Sequence, residues 1–194
     1  MTDSRGASRG LCTLWDPEKF TFKNVTKYLH WMMITLQHIQ TGKPINIVNV
    51  YAPNSYVVKN QFWKSLMEKK EAKLHTNNIV ARDFNTTISP KEKKGGTNFR
   101  DPYREHMEDL ISDWDLMDII PKNGRYTWTY KRLGPSHIAA RLDRFLVNND
   151  ILLDNIGLYS TILPSGVSNH KPISLYTTIK DNGPIPFCFN PLCL

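Results

Sequence analysis

The segment Ile45-Asn46-Ile47-Val48-Asn49-Val50-Tyr51, followed by Ala52-Pro53-Asn54, decides the fold of this chain. Its β-branched residues predict a buried strand over 45–51, and the proline ends that strand. Helical periodicity follows, with apolar residues that recur on one face: Phe62, Trp63, Leu66, Met67 and Leu74. A short buried strand is then predicted over 78–81. A strand, a helix and a strand in this order indicate a layered fold that mixes α and β structure.

Further elements are predicted along the rest of the chain. A second helix is expected to start at Asp101-Pro102, with the aspartate as N-cap and the proline in the first turn. Residues 86–100 are interpreted as a long loop. Strands are predicted over the segments 11–15, 28–36, 126–130, 141–147, 157–163 and 172–179. We therefore expect one domain over 11–180, a flexible segment over 1–10, and a C-terminal linker or tail over 181–194.

The composition excludes some classes of protein and favours others. The 194 residues suffice for one domain, and the 40% of apolar residues support a buried core. No apolar stretch reaches the ~20 residues of a membrane span, and the first residues lack the apolar region of a secretory signal. We therefore expect an intracellular protein whose three cysteines are reduced. The net charge of +7 favours an anionic partner such as nucleic acid, although it could serve only solubility.

Polar side chains stand at the ends of four predicted strands, where layered α/β folds place their sites. The segments are Asn49-Val50-Tyr51-Ala52-Pro53-Asn54, Asp83-Phe84-Asn85, Arg141-Leu142-Asp143-Arg144-Phe145 and Ser168-Asn169-His170-Lys171-Pro172. Each has a purely structural alternative. Asp83 and Asn85 could form an Asx-turn, and Asp143 could pair locally with a neighbouring arginine. His170 could be an ordinary loop histidine, and Tyr51 could simply fill its strand.

Taken in order, the four segments resemble the endonuclease/exonuclease/phosphatase superfamily, and within it the endonuclease domain of LINE-type retrotransposons. The matching motifs are Tyr51-Ala52-Pro53-Asn54, Arg82-Asp83-Phe84-Asn85 in place of Gly-Asp-Phe-Asn, Thr127-Trp128 followed by Arg141-Leu142-Asp143-Arg144, and Ser168-Asn169-His170-Lys171-Pro172 in place of Ser-Asp-His-x-Pro. Order and approximate spacing agree across residues 45–175. The resemblance implies a four-layer α/β sandwich with two packed mixed β-sheets flanked by helices. We expect this chain to hold an incomplete version of that sandwich.

The resemblance also implies Mg²⁺-dependent hydrolysis of phosphodiesters. On this likeness, Asp83 orients or deprotonates the attacking water, and Asn85 hydrogen-bonds the phosphate. His170 contacts the phosphate and is oriented by Asp143, since a neighbouring carboxylate fixes the tautomer of an imidazole and favours its charged form. Tyr51 donates its hydroxyl to the phosphate region.

Two departures from the family pattern predict impaired or absent activity. Family members begin with two strands that carry an Asn and a metal-binding Glu, and this sequence starts after both. The metal-site Asp of the closing motif is Asn169 here, which keeps an acceptor oxygen but loses the charge. Because Mg²⁺ needs near-octahedral oxygen ligation, we expect weakened metal binding. The alternatives are a non-catalytic remnant that binds nucleic acid, a fragment without function, and a phosphatase for a small phosphoester.

A third departure is Arg82, which stands where the family has glycine. Glycine in such a turn usually serves a positive φ or a close backbone approach, so the arginine could add strain. Its charge is expected to lower the pKa of Asp83 and to weaken this carboxylate as a base. Alternatively, the side chain points to solvent and only adds to the basic surface.

Basic residues in two loops are candidates for binding nucleic acid, and DNA is the expected partner. They are Lys91, Lys93 and Lys94 in the loop after Asp83, and Lys131 and Arg132 after Trp128. Such cations would neutralise phosphates and make the affinity salt-dependent, whereas a merely solvated charged loop is the alternative. The resemblance further implies a part of a larger retrotransposon polyprotein, with the nucleus as a candidate location.

Overall fold

The structure is a computed structural model, and it describes residues 10–69, 77–96, 100–130, 137–148, 151 and 156–179. Three strands and a helix come first: β1 (Phe20–Lys27), β2 (Trp31–His38), β3 (Pro44–Tyr51) and α1 (Tyr56–Met67). Then follow β4 (Asn78–Asp83), a 3-10 turn (Pro90–Glu92) and the short strand β5 (Lys93–Lys94). The remaining elements are α2 (Arg104–Asp113), β6 (Leu116–Asp118), β7 (Trp128–Tyr130), β8 (Ile138–Ala140), β9 (Asp143–Asn148), β10 (Ile156–Ile162) and β11 (Ile173–Ile179).

A six-stranded mixed sheet in the order β1-β2-β3-β4-β9-β6 organises the described structure. Strands β3 and β4 are parallel, and the segment between them contains α1, whereas the other neighbours in this sheet are antiparallel. Within the described ranges, β10 pairs with β11, and β5, β8 and β7 form a further three-stranded sheet. The predicted α/β fold with mixed sheets and flanking helices is therefore confirmed.

Alternation along the central strands gives the large sheet two apolar faces. On β2, Trp31 and Met33 belong to the core shared with the helices, and Met32 and Ile34 belong to a core on the opposite face. The helices contribute apolar side chains to the first core, among them Phe62, Trp63, Leu66, Met107 and Leu110. Because β2 is covered on both faces, it begins with the uninterrupted apolar run Trp31-Met32-Met33-Ile34.

The first half of the chain differs from the sequence prediction at three strands, one of which is β5, which pairs with β8 inside the segment 86–100 that was expected to be a loop. Residues 11–15 form no strand, although Leu11 is buried in the second core. The sequence analysis does not predict β1, because most side chains of this strand are exposed and lack a clear apolar alternation. Its pairing with β2 supplies the order that its own residues do not specify.

The second helix begins later than predicted, at Arg104 rather than at Asp101. The carboxylate of Asp101 accepts hydrogen bonds from the backbone amides of Tyr103 and Thr87, each at 3.0 Å. The aspartate therefore fixes the loop after β4 to the start of the helical segment, and it is not the N-cap.

Arg141 and Arg144 form a buried ion-pair cluster with Glu92 and Asp118. Nη1 of Arg144 lies 2.8 Å from Oε1 of Glu92 and 2.8 Å from Oδ2 of Asp118, and Arg141 contacts the same two carboxylates. Burial is the largest single influence on the pKa of Glu92 and would raise it, but the hydrogen bonds from Arg144 and the Ile88 amide, together with the charges of Arg144 and Arg141, hold that pKa below its ordinary value. The alternative that Asp143 pairs with these arginines is wrong, because they bind the other two carboxylates.

No helix in the described ranges is both long and apolar enough to cross a membrane. Cys12 is a free, exposed cysteine, and Cys188 and Cys193 lie outside the described residues. The segments 1–9 and 181–194 also lie outside the described residues, so the domain boundaries stay predictions. The intracellular or nuclear location also stays a prediction.

We expect Arg144→Met to destabilise the fold by about 3 kcal/mol, because it leaves buried carboxylates with fewer partners. Arg100→Met is the matched control, since the Arg100–Glu105 pair is exposed and its loss should cost less than about 1 kcal/mol. Urea denaturation followed by tryptophan fluorescence measures both. Equal effects of the two changes would contradict a structural role for the buried cluster.

Candidate active site

Asp83 and Asp143 lie opposite each other where β4 ends and β9 begins. These two strands are antiparallel, and their register pairs the two aspartates directly. The side chains of such a pair project from the same face of a sheet. Only 4% of the surface of Asp83 and 9% of that of Asp143 is exposed. Two carboxylates are thus held side by side in a position largely shielded from water.

His170 joins both carboxylates into one cluster. Its Nδ1 lies 3.0 Å from Oδ2 of Asp143, and its Nε2 lies 3.8 Å from Oδ2 of Asp83. With the proton on Nδ1, the ring donates to Asp143 and turns Nε2 towards the other aspartate. The imidazole is half-buried, so its Nε2 edge is positioned between a fixed carboxylate and the open side of the site.

Thr127 connects the two segments that carry Asp143 and His170. Its buried Oγ1 accepts hydrogen bonds from the amides of Leu142 at 3.0 Å and Asp143 at 2.9 Å. Its carbonyl oxygen accepts from the amide of Lys171 at 2.7 Å. The sequence analysis assigns this threonine no role, because a hydroxyl that binds amides distant in the chain leaves no local pattern.

The turn after β4 is held together by its own polar side chains. Oδ1 of Asp83 accepts the amide of Asn85 at 2.9 Å, and the side-chain amide of Asn85 donates to Oδ2 of Asp83 at 3.2 Å and to the carbonyl of Ala52. Asn85 has a φ of 48°, which asparagine tolerates better than most residues. The Asx-turn is therefore present together with the cluster. A contact between Asn85 and a phosphate stays a prediction.

Lys59 of α1 is buried beside this turn and was missing from the predicted site. Its Nζ donates to the carbonyl of Asn85 and lies 4.7 Å from the centroid of the Tyr103 ring. Burial lowers its pKa, against the opposing charges of Asp101 and Asp83. Its spacing of three residues from the buried Phe62 was the available signal, since that spacing places both side chains on one helix face.

Burial and the facing Asp143 raise the pKa of Asp83 to about 6, against the lowering effects of His170, the Asn85 amide and Lys59. The expectation that Arg82 holds this pKa low is wrong, because desolvation and the like charge dominate. The hydrogen bond to Asp143 raises the pKa of His170, although burial opposes it. A carboxyl group and an imidazole, each with a raised pKa, therefore face each other.

The cluster opens into a pocket of about 590 Å³. Besides the three clustered residues, side chains named in the sequence analysis line it: Tyr51, Arg82, Trp128 and Asn169. Asn169 is exposed, and Tyr51 is half-buried against the second core. The pocket thus gathers four of the five predicted catalytic residues, and Asn85 lies directly behind Asp83.

Of the predicted nucleic-acid-binding residues, the three that the structure describes do not line this pocket. Lys91 and Lys94 are exposed, and the half-buried Lys93 lines a neighbouring cavity. Lys131 and Arg132 fall outside the described residues. Their contact with nucleic acid stays a prediction.

Asp83, Asp143 and His170 each offer one ligand atom, and these atoms lie within 4.8 Å of one another. Asn169, whose side chain carries an amide oxygen, lines the same pocket. A cluster of two carboxylates and an imidazole at this spacing is chemically able to hold a divalent cation.

Comparison with known proteins gives a sequence relative but no family model that matches the chain. The relative is the Transposon TX1 uncharacterized 149 kDa protein of Xenopus laevis. It is 25% identical over 166 residues, which are 83% of this chain and 12% of that protein. The chain thus spans about an eighth of the length of the curated relative it matches.

Solved structures also match most of the chain. The AP endonuclease LMAP of Leishmania major superposes with a TM-score of 0.56 at 15% identity, covering 75% of this chain and 54% of that one. An endonuclease/exonuclease/phosphatase protein of Bacteroides vulgatus superposes with a TM-score of 0.56 at 14% identity, covering 84% and 67%. This chain has the endonuclease/exonuclease/phosphatase fold. The predicted superfamily resemblance is confirmed at the level of the fold, and the LINE-type assignment stays a prediction.

We expect Asp83→Asn to raise the free energy of unfolding at neutral pH by about 2–3 kcal/mol in this endonuclease/exonuclease/phosphatase fold. The folded carboxyl has a pKa of about 6 against 3.8 for the ordinary group, so its ionisation destabilises the folded state. This gain in stability should be absent below about pH 4, where Asp83 of the wild type is protonated in both the folded and the unfolded state. It should be complete above about pH 7, where Asp83 is ionised in both states.

Thermal melts across this pH range measure the effect, with the exposed Asp109→Asn on α2 as the control. A variant that is less stable than the wild type at neutral pH would show that the buried carboxylate contributes favourably, contrary to the expectation.

Proposed function

We propose that this chain is a divalent-metal-dependent phosphodiester hydrolase that acts on nucleic acid, with DNA as its substrate, and that its activity is impaired because Asn169 stands where the family pattern has a metal-site Asp. The observation that supports it is the cluster of Asp83, Asp143 and His170 in one pocket. A base, a cation or hydrogen-bond donor for the phosphate, and ligands for a metal are the components that such hydrolysis needs. The cluster offers all three.

Asp83 is the proposed base. Its raised pKa, near 6, lets the carboxylate accept a proton from a water at neutral pH while it remains mostly ionised. The oxygen of that water then forms a bond to phosphorus as the bond from phosphorus to the sugar oxygen breaks. The leaving sugar oxygen takes up a proton from solvent, and Asp83 returns the proton that it accepted to solvent. The hydrogen bonds from Asn85 fix the carboxylate so that it does not need to reorient during the reaction.

His170 and Tyr51 are the proposed phosphate-binding groups. The charged imidazole donates from Nε2, because Nδ1 is engaged by Asp143 at 3.0 Å. The hydrogen bond to Asp143 keeps the ring charged to a higher pH than an ordinary histidine. Tyr51 lines the same pocket, where its hydroxyl is a further donor for a phosphate oxygen.

The donor set suits a divalent cation held by Asp143 and Asn169, with Mg²⁺ as the proposed ion, while Asp83 accepts the proton of the water. One carboxylate and an amide oxygen, supplemented by water and phosphate oxygens, fit the oxygen ligands that Mg²⁺ takes. Asn169 adds a neutral oxygen where the family pattern has a carboxylate. When bound, the metal supplies positive charge to the phosphoryl oxygens.

Three observations support nucleic acid as the substrate. The chain carries a net charge of +7, and the exposed Lys91 and Lys94 lie in the segment that follows the site. A solved structure with the same fold is named an AP endonuclease. The sequence relative is a transposon protein, which also favours a retrotransposon origin for this domain.

A second candidate function is binding of nucleic acid without cleavage. Asn169 favours it, because a pocket with one carboxylate fewer than the family pattern repels phosphate less and holds a cation more weakly. The two candidates share the partner and differ in chemistry, so one experiment can separate them.

We expect metal-dependent nicking of supercoiled plasmid, and a loss of at least about a hundredfold in Asp83→Asn and His170→Ala. Mg²⁺ and Mn²⁺ are compared with EDTA, and the exposed Asp109→Asn serves as the control variant. Nicking that is unaffected by either change would contradict the proposed roles. Salt-dependent binding of DNA without nicking under any metal would instead favour the second candidate.

A further inference from the structure

Arg82 has a backbone conformation that an arginine adopts only at a cost. Its φ is 99°, well inside the region that favours glycine. Among residues other than glycine, the described part of the chain has two further positive φ values, at Asn85 and Asp115. Both are about 48° and belong to residue types that tolerate the left-handed region. Arg82 has a larger φ and is not of a residue type that tolerates this region. A strained residue of this kind commonly marks a functional site.

The strain changes the side on which the Arg82 side chain lies. Val80, two residues earlier on β4, is buried in the core beneath the helices. Regular alternation would place Arg82 on that same face, beside its cross-strand partner Arg144, which is fully buried. Instead Arg82 is exposed and lines the pocket together with Asp83. The positive φ thus brings a cation to the pocket and keeps it away from a buried arginine.

Among the residues that the structure describes, no partner occupies the guanidinium of Arg82. It makes no hydrogen bond or ion pair with any residue in the described ranges, although Asp83 and Asp143 line the same pocket. It is near enough to His170 to act on the ring, where its charge opposes protonation. A planar guanidinium with five donors matches the geometry of phosphate oxygens, and it can bind two of them at once.

We propose that Arg82 binds a backbone phosphate of the nucleic acid at the rim of the pocket, next to the phosphate that faces Asp83 and His170. The proposal rests on the proposed function of the pocket and adds a cation at the position where the family pattern has glycine. The strained backbone is the cost of presenting this cation. Arg82 is therefore a substrate-binding residue that the fold retains at the expense of stability.

The test separates the charge of Arg82 from its backbone strain. Arg82→Gly removes both, Arg82→Ala removes the charge and keeps the strain, and Arg82→Lys keeps the charge. Arg125→Ala is the control, since it removes an exposed arginine from a different cavity. Binding to a short DNA duplex is measured by fluorescence anisotropy in EDTA between about 50 and 200 mM KCl, and thermal melts are recorded for each variant.

We expect Arg82→Ala and Arg82→Gly to bind the duplex about tenfold more weakly, with the slope of log K against log salt reduced by about 0.9. Arg82→Lys and Arg125→Ala should retain the wild-type slope. Arg82→Gly alone should raise Tm, by about 2–4 °C, because only glycine relieves the strain. Weaker binding together with a higher Tm is the signature of a functional residue that costs stability.

Other outcomes overturn the proposal. If Arg82→Gly raises Tm but binds DNA as tightly as the wild type, the strain has no binding role. Inorganic phosphate is also added as a competitor of the duplex. If Arg82→Ala leaves duplex binding unchanged and only makes inorganic phosphate a weaker competitor, the ligand of Arg82 is a free phosphate and not a nucleic-acid backbone. Because binding is measured in EDTA, these results do not depend on cleavage. A protein that binds through Arg82 but never nicks DNA would contradict the proposed hydrolase and leave this inference standing.

Discussion

The direct pairing of Asp83 with Asp143 across β4 and β9 is the constraint on which the candidate site depends. Like charges opposite each other on one sheet face repel, and burial strengthens the repulsion. The sheet register fixes this arrangement, so neither side chain can avoid the other by a shift of its backbone. The conflict is relieved by raising the pKa of Asp83 and by placing the imidazole of His170 between the two carboxylates. The same conflict makes the position suited to a cation or a proton.

Rigid surroundings keep the conflict from relaxing. Thr127 binds the amide of Asp143 with its hydroxyl and the segment of His170 with its carbonyl. On the other face of β9, Arg144 is bound to Glu92 and Asp118 in a buried cluster. β9 is therefore anchored on both faces, and a strained or repulsive arrangement persists only when its surroundings hold it in this way. The ion-pair cluster fixes one face of β9, and the repulsion between the two aspartates lies on the other face.

The sequence predicts the parts of the fold that have a local pattern. The strands at 45–51 and 78–81 and the first helix follow from β-branched runs and helical periodicity, and the site residues follow from motifs at strand ends. The sequence does not predict β1, because the extended conformation of this strand depends on its pairing with β2. The partners of Arg144 escape because Glu92 is 52 residues away in the chain. The raised pKa of Asp83 escapes because it follows from burial and register, which only the folded chain creates.

Arg82 and Asn169 change the charge of the pocket in the same direction relative to the family pattern, one by adding a cation and the other by removing a carboxylate. Without a metal, a less negative pocket binds a phosphate more strongly, because its carboxylates repel the phosphate less. The same change leaves fewer anionic ligands for that metal. Affinity for phosphate and affinity for a divalent cation therefore vary in opposite directions in this pocket. It follows that nucleic-acid binding should depend on metal less than hydrolysis does, since binding can use Arg82 and His170 while hydrolysis also needs the charge on the phosphoryl oxygens to be neutralised.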